Sequence, residues 1–105
     1  MNLDLAGKVV VVSGASGGIG SSIARHFLEQ GCRVALLARD NERIERTLKK
    51  LSEDFDPEII LSLPVDCTIE YDLADAISTI VGTWSKIDIA IANIGDGRSE
   101  QDAIP

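Results

Sequence analysis

Apolar residues along the chain follow two alternating patterns. Continuous apolar runs of strand length alternate with longer stretches in which apolar positions recur every three to four residues. Continuous runs are typical of strands covered on both faces, whereas the longer period is typical of helices that pack one side on a sheet. The pattern predicts strands at 8–13, 33–38, 58–63 and 87–92, and helices at 18–30, about 41–55 and about 69–84.

Helix boundaries are marked by residues that start or stop helices. Gly31 follows the last periodic position of the first helix, as expected for a left-handed stop. Asp40 or Asn41 caps the second helix, and the pair Asp56-Pro57 breaks the chain after that helix. Thr68 is the predicted N-cap of the third helix. The buried side of that helix is predicted to comprise Leu73, Ala76 or Ile77, Ile80 and Trp84.

Strands that alternate with helices form repeated βαβ units, and right-handed crossovers then give a parallel sheet. The sequence therefore predicts a Rossmann-type, three-layer α/β fold with strand order 3-2-1-4, ending after the fourth strand. Residues 1–95 are expected to form this domain, and the polar residues 96–105 a loose tail. The order reverses direction between strands 1 and 4, so a ligand crevice is expected at the carboxyl ends of these strands.

A glycine-rich turn connects the first strand to the first helix. In the segment 13–20, Ser-Gly-Ala-Ser-Gly-Gly-Ile-Gly, glycine allows a sharp bend, a close approach of the backbone to a ligand, and close packing of helix on strand. The free N–H groups at the helix start would face a pyrophosphate. The candidate contacts are Gly14, Ser16, Gly17, Gly18, Ile19 and Gly20.

The spacing Gly14-x-x-x-Gly18-x-Gly20 resembles the Thr-Gly-x-x-x-Gly-x-Gly motif of the short-chain dehydrogenase/reductase family, with Ser13 in place of Thr. The resemblance implies a nicotinamide dinucleotide cofactor and hydride transfer to or from a carbonyl or alcohol. It also implies that Asp66 binds the adenine amino group and that Cys67 contributes its backbone. Residues 92–95, Ala-Asn-Ile-Gly, resemble the family's Asn-Asn-Ala-Gly and place Asn93 and Gly95 beside the cofactor.

Arg39 follows the second strand, where a group that contacts the adenosine ribose is expected. An acidic residue there would accept the ribose hydroxyls of NAD, whereas an arginine pairs with the 2′-phosphate of NADP. Asp40 lies at almost the same separation from the glycines, and we interpret it as the cap of the second helix. The predicted cofactor is therefore NADP, with NAD as the alternative.

Composition restricts the remaining function classes. The chain has 105 residues, enough for one domain, and a formal net charge of -7, which argues against nucleic acid and anionic membranes as partners. Cys32, Cys67 and His26 are its only cysteines and histidine, too few for a disulfide framework or a closed zinc site. The first residues lack the pattern of a signal peptide, which favours a cytoplasmic protein.

The family's catalytic motif, Tyr-x-x-x-Lys, does not occur in these 105 residues. Tyr71 is the only tyrosine, and Asp75 stands four residues after it. The chain is expected to be truncated and inactive alone, with a substrate bound only in a complete protein. The alternative is a non-catalytic nucleotide-binding or self-assembling fragment, and a flavodoxin-like phosphoacceptor domain is a weaker third option.

The fourth strand is expected at the edge of the sheet. Residues 87–92 are mostly apolar and carry few of the charges and no proline that protect edge strands. The sequence therefore predicts a homo-oligomer.

Overall fold

Strands and helices alternate along the computed structural model, which describes residues 4–93. The strands are β1 (Val9–Ser13), β2 (Arg33–Ala38), β3 (Ile60–Pro64) and β4 (Ile89–Ala92). The helices are α1 (Gly18–Glu29), α2 (Asn41–Leu51) and α3 (Glu70–Trp84), and a 3-10 turn, Pro57–Ile59, precedes β3. The predicted tail and Gly95 lie outside the described residues. None of the helices within 4–93 combines the length and the apolar character that crossing a bilayer requires.

All strand pairs are parallel and the order is β3-β2-β1-β4, which confirms the predicted Rossmann-type topology. β1 lies in the interior of the sheet. Its Val10 is opposite Val34 of β2 on one side and Ile89 of β4 on the other. Because parallel strands run in one direction, all four carboxyl ends meet at one edge of the sheet.

Alternate residues of β1 and β2 enter two separate cores, because successive side chains of a strand point to opposite faces. The core beneath α1 and α2 includes Val10, Val12, Ala24, Leu28, Val34, Leu36, Ile44 and Leu51. The core beneath α3 includes Val9, Val11, Ala35, Leu37, Ala76, Ile80 and Trp84. The continuous apolar runs of β1 and β2 are thus explained by burial on both faces.

The third helix begins later than predicted, and the assignment of Thr68 as its N-cap is wrong. Ile69 is the N-cap residue, and it makes no side-chain capping hydrogen bond. The hydroxyl and the N–H of Thr68 are both directed at Asp66 instead. Of the two alternatives for the buried face, Ala76 is buried at 4% exposure and Ile77 is 41% exposed.

Two strands also begin later than the hydrophobic pattern predicts. The Asp56 carboxylate accepts the N–H of Glu58 at 2.9 Å and closes the 3-10 turn, so β3 begins only at Ile60. Before β4, the Asp88 N–H donates to the Val9 carbonyl at 2.8 Å, and the Asp88 carboxylate accepts the Val9 N–H at 2.8 Å. A side chain thus satisfies a β1 donor that a backbone carbonyl would satisfy within the ladder.

Candidate functional site

The glycine turn lies at the carboxyl edge of the sheet, between the end of β1 and the start of α1. Gly14 has a φ of 67°, a left-handed conformation that favours glycine. A Cβ on Gly20 would lie 2.1 Å from the Gly14 carbonyl oxygen and 2.9 Å from the Ala15 Cα, so α1 could not pack as closely on the turn. A Cβ on Gly18 would meet nothing within 4 Å. Gly20 is therefore required by packing, whereas the space beside Gly18 is open.

Hydrogen bonds from two neighbouring strands hold the turn in place. The Ala15 N–H donates to the Leu37 carbonyl of β2 at 3.1 Å. The Gly14 carbonyl accepts the side-chain amide of Asn93 at 3.2 Å and the N–H of Gly17 at 3.5 Å. Asn93, which follows β4, thus acts on the conformation of the turn across the switch point.

Ser13 contributes a contact that the sequence analysis did not assign. Its hydroxyl accepts the Asn93 N–H at 3.2 Å and donates to the Ile91 carbonyl at 3.4 Å. This hydroxyl ties the end of β1 to the end of β4, just before the ladder stops. A serine at the last position of a strand, directly before a glycine turn, is the local signal from which such a bridge could be expected.

The N-terminus of α1 presents backbone donors to the crevice. Gly17 is the N-cap residue in an extended conformation, it makes no side-chain cap, and the first turn contains no acidic residue. The first N–H groups of a helix have no partner within the helix, and the positive end of the helix dipole lies there. Ser16 lies half-buried in the turn, and Ile19 is 61% exposed at the helix start. This terminus can accept an anion such as a phosphate.

A second group of predicted residues gathers where β2 and β3 end. The Val65 N–H donates to the Ala38 carbonyl at 2.8 Å, so the segments that carry Arg39 and Asp66 leave the sheet side by side. Arg39 is exposed. Asp40 accepts the N–H of Arg43 at 3.1 Å and caps α2, which confirms its interpretation as a helix cap.

The protonation state of the Asp66 carboxylate depends on neighbouring groups. Hydrogen bonds from the hydroxyl and the N–H of Thr68 lower the pKa of Asp66, and the Arg39 guanidinium adds to this effect against partial desolvation. Beside it, burial and then the Asp66 charge raise the pKa of the half-buried Cys67 thiol. Asp66 is therefore a carboxylate and Cys67 a neutral thiol at neutral pH. This arrangement can accept a hydrogen bond from an amino group of a ligand.

An open apolar groove adjoins the turn along α1. Its volume is about 620 Å³. The residues that line it are Gly18, Ile19, Ser22, Ile23, His26 and Phe27. The groove therefore begins at the helix end that presents the free N–H groups.

Comparison with known proteins agrees with this geometry. A family model described as short chain dehydrogenase matches residues 8–103. A dehydrogenase/reductase SDR family protein 7-like of Drosophila melanogaster is 38% identical over 93 residues, which are 87% of this chain and 28% of that protein. The crystal structure of glucose dehydrogenase of Caenorhabditis elegans in the apo form superposes with a TM-score of 0.82 at 29% identity, covering 96% of this chain and 43% of that one.

L-sorbose reductase from Gluconobacter frateurii, whose structure is a complex with NADPH and L-sorbose, superposes with a TM-score of 0.81 at 30% identity. The match covers 90% of this chain and 36% of that one. The chain spans between 24% and 39% of the length of the curated relatives it matches. With the glycine turn, the parallel sheet and the family match over 8–103 in agreement, the chain belongs to the short chain dehydrogenase family and corresponds to the amino-terminal part of its members.

Proposed function

We propose that this chain binds NADP(H) at the carboxyl edge of its sheet and is the cofactor-binding part of an oxidoreductase. The observation that carries the proposal is the contrast between two glycines of one turn. At Gly20 backbone atoms leave no room for a Cβ. At Gly18, which lies at a helix N-terminus without a side-chain cap, the space for a Cβ is open. Open space at a helix start with free N–H groups fits a pyrophosphate.

The proposed site extends from the turn in two directions. The turn residues Gly14, Ser16, Gly17, Gly18, Ile19 and Gly20 would hold the pyrophosphate. Arg39 would pair with the 2′-phosphate of the adenosine ribose, which favours NADP over NAD because a guanidinium binds phosphate in a bidentate manner. Asp66 and the backbone of Cys67 would hold the adenine. Asn93 would support the turn, and Gly95, outside the described residues, would lie nearby.

The parent reaction is proposed from the family alone. When bound, NADPH supplies a hydride to a carbonyl, and NADP⁺ accepts one from an alcohol. The residues of this chain bind and orient the dinucleotide, and we assign no catalytic residue among them. The 105 residues contain a single tyrosine, Tyr71, without a lysine four residues later. The chain by itself is therefore proposed to be inactive, with substrate binding a property of a complete protein.

Calorimetric titration of the chain with NADP⁺ and with NAD⁺ tests the proposal. We expect one site per chain, tighter for NADP⁺, and competition by adenosine 2′,5′-bisphosphate, which carries the ribose phosphate but no nicotinamide. Absence of binding for both dinucleotides would falsify the assignment of the site. Equal affinity for the two would retain the dinucleotide site and remove the role of Arg39.

The second candidate function is a nucleotide-binding module without turnover, and the missing Tyr-x-x-x-Lys favours it for the isolated chain. NADPH oxidation with a panel of small aldehydes and ketones tests what the two candidates share, since neither gives the isolated chain a catalytic group. We expect binding without oxidation. Turnover above the rate without protein would instead require a catalytic group that our assignment lacks.

A further inference from the structure

The carboxylate of Asp66 is held through one of its two oxygens. The Thr68 N–H donates to Oδ1 at 3.0 Å, and the Thr68 hydroxyl donates to the same oxygen at 2.5 Å. Within residues 4–93 no hydrogen bond reaches the other oxygen, Oδ2. Two donors on one oxygen fix the plane of the carboxylate, because rotation about Cβ–Cγ would break both bonds.

The backbone around this contact is fixed as well. The Ile69 N–H donates to the Asp66 carbonyl at 3.0 Å and closes the turn at 66–69. On the other side, the Val65 N–H is bound to the Ala38 carbonyl at 2.8 Å. The position of Asp66 relative to β2 is therefore set by the backbone, and Thr68 sets the one remaining variable, the direction of the carboxylate.

We infer that Thr68 is a positioning residue for recognition of the adenine base: it occupies Oδ1 of Asp66 and leaves Oδ2 aimed at the exocyclic amino group. This inference rests on the proposed function, because it takes the adenine to lie against Asp66. It assigns to Thr68 a part in base selectivity, whereas the sequence assigns it only to a helix end.

The charge of Asp66 supports this role. The two hydrogen bonds from Thr68 lower the pKa of Asp66, and the positive charge of Arg39, just after β2, does so to a smaller extent. The neighbouring Cys67 thiol has a raised pKa and adds no charge at neutral pH. A carboxylate that stays ionised accepts a hydrogen bond from an amino group and repels a carbonyl oxygen at the same position.

The test compares NADP⁺ with its hypoxanthine analogue, in which a carbonyl oxygen replaces the amino group of the adenine. Dissociation constants are measured by calorimetry for the wild-type chain, Thr68→Ser and Thr68→Val. Serine keeps the hydroxyl donor, and valine matches threonine in shape without it. We expect the wild type to prefer adenine by about tenfold or more, typical of a hydrogen bond to a charged group.

In Thr68→Val this preference should fall by about threefold to tenfold, the worth of one hydrogen bond, and in Thr68→Ser it should stay within about twofold of wild type. If Thr68→Val weakens both dinucleotides equally, or keeps the wild-type preference, the positioning role is overturned. A wild type that binds both equally removes the contact between Asp66 and adenine, and the inference with it. A wild type that binds neither overturns the proposed function itself.

Discussion

Gly18 and Gly20 are separated by a single residue at the start of α1, yet packing within the structure requires glycine only at Gly20. Gly20 has no room for a side chain because the Gly14 carbonyl lies 2.1 Å from the position of its Cβ. Gly18 has room in the chain itself. At Gly20 the reason for glycine is the packing of helix on strand, whereas at Gly18 we propose that the reason is a ligand.

Substitution of these two glycines should separate binding from folding. Gly18→Val should abolish dinucleotide binding while the thermal midpoint stays near wild type, because the new side chain fills only the space proposed for the pyrophosphate. Gly20→Ala should cost about 1–3 kcal/mol of stability, typical of overpacking. Calorimetric titration and thermal unfolding of both variants measure the two effects. Unchanged cofactor affinity in Gly18→Val would move the phosphate site elsewhere.

Arg39 is expected to act on one phosphate only. Arg39→Ala should weaken NADP(H) binding by ~1.5–3 kcal/mol and leave NAD(H) binding nearly unchanged, because only NADP carries the 2′-phosphate. Arg33→Ala is a matched control, since Arg33 is an exposed arginine at the opposite end of the same strand, β2. Titrations of both variants with both dinucleotides decide the question. Equal losses for NADP and NAD in Arg39→Ala would contradict the assignment.

At the scale of elements, the strand order could be predicted because it depends on features spread over many residues. Continuous apolar runs, helical periodicity and right-handed crossovers all favour the same sheet. The starts of β3, α3 and β4, by contrast, depend on the hydrogen bonds of single aspartates. Asp56, Asp66 and Asp88 each accept a hydrogen bond from a backbone N–H group, and β3, α3 and β4 therefore begin later in the chain than predicted. Such contacts compete with the hydrogen bonds of helices and strands, and the pattern of apolar residues in the sequence does not reveal them.

The candidate site likewise contains features that could be predicted from the sequence and features that could not. The glycine turn could be predicted because its conformational requirements are local. The proximity of Arg39 and Asp66 could be predicted only from the topology, since 26 residues, which include α2 and β3, lie between them in the sequence. The role of Thr68 was missed because a threonine before a helix satisfies two patterns, an N-cap and a turn with an aspartate two residues earlier. Only the folded structure distinguishes the two.

Asp88 makes the junction of β1 and β4 sensitive to acid. The Val9 N–H, and after it Lys86 at 3.1 Å, lower the pKa of Asp88 in the folded chain. Because the folded pKa is depressed, the stabilisation is present above the unfolded pKa, about 4, and is lost as the pH falls through the folded pKa. Asp88→Asn should therefore lower the free energy of unfolding at pH 7.

The difference between wild type and Asp88→Asn should shrink toward zero as the pH falls below the unfolded pKa of about 4 and through the lower folded pKa, where the wild-type carboxylate becomes protonated. Urea unfolding at several pH values measures it. Asp75→Asn makes the same chemical change at an exposed position of α3 and serves as the control. A difference that is constant over this pH range would show that the charge of Asp88 plays no part.

At the scale of the whole molecule, the main consequence of the topology is that no strand within residues 4–93 covers the outer edge of β4. Within the described residues β4 pairs with β1 alone, and Ala90 and Ala92 are exposed. Apolar side chains are exposed on helices of both faces, at Ile19 of α1 and at Ile77 and Val81 of α3, with 61%, 41% and 42% exposure. An edge strand with unpaired N–H and C=O groups beside apolar surface invites pairing with another chain.

We therefore predict that the 105-residue chain forms a dimer or larger oligomer at micromolar concentration, most simply by two-fold pairing of β4 edges. Ile89 packs against the core beneath α1 and α2, so a charge there would also unfold the chain. Ala90→Lys instead places a charge at an exposed position of the edge and should shift the chain toward monomer, whereas Ser78→Lys, on the exposed side of α3, should not. Because each copy carries a net charge of -7, added salt should strengthen the assembly by screening repulsion. Sedimentation velocity over a range of protein and salt concentrations measures all three effects. A wild-type chain that is monomeric and behaves like Ala90→Lys would mean that the β4 edge is already protected.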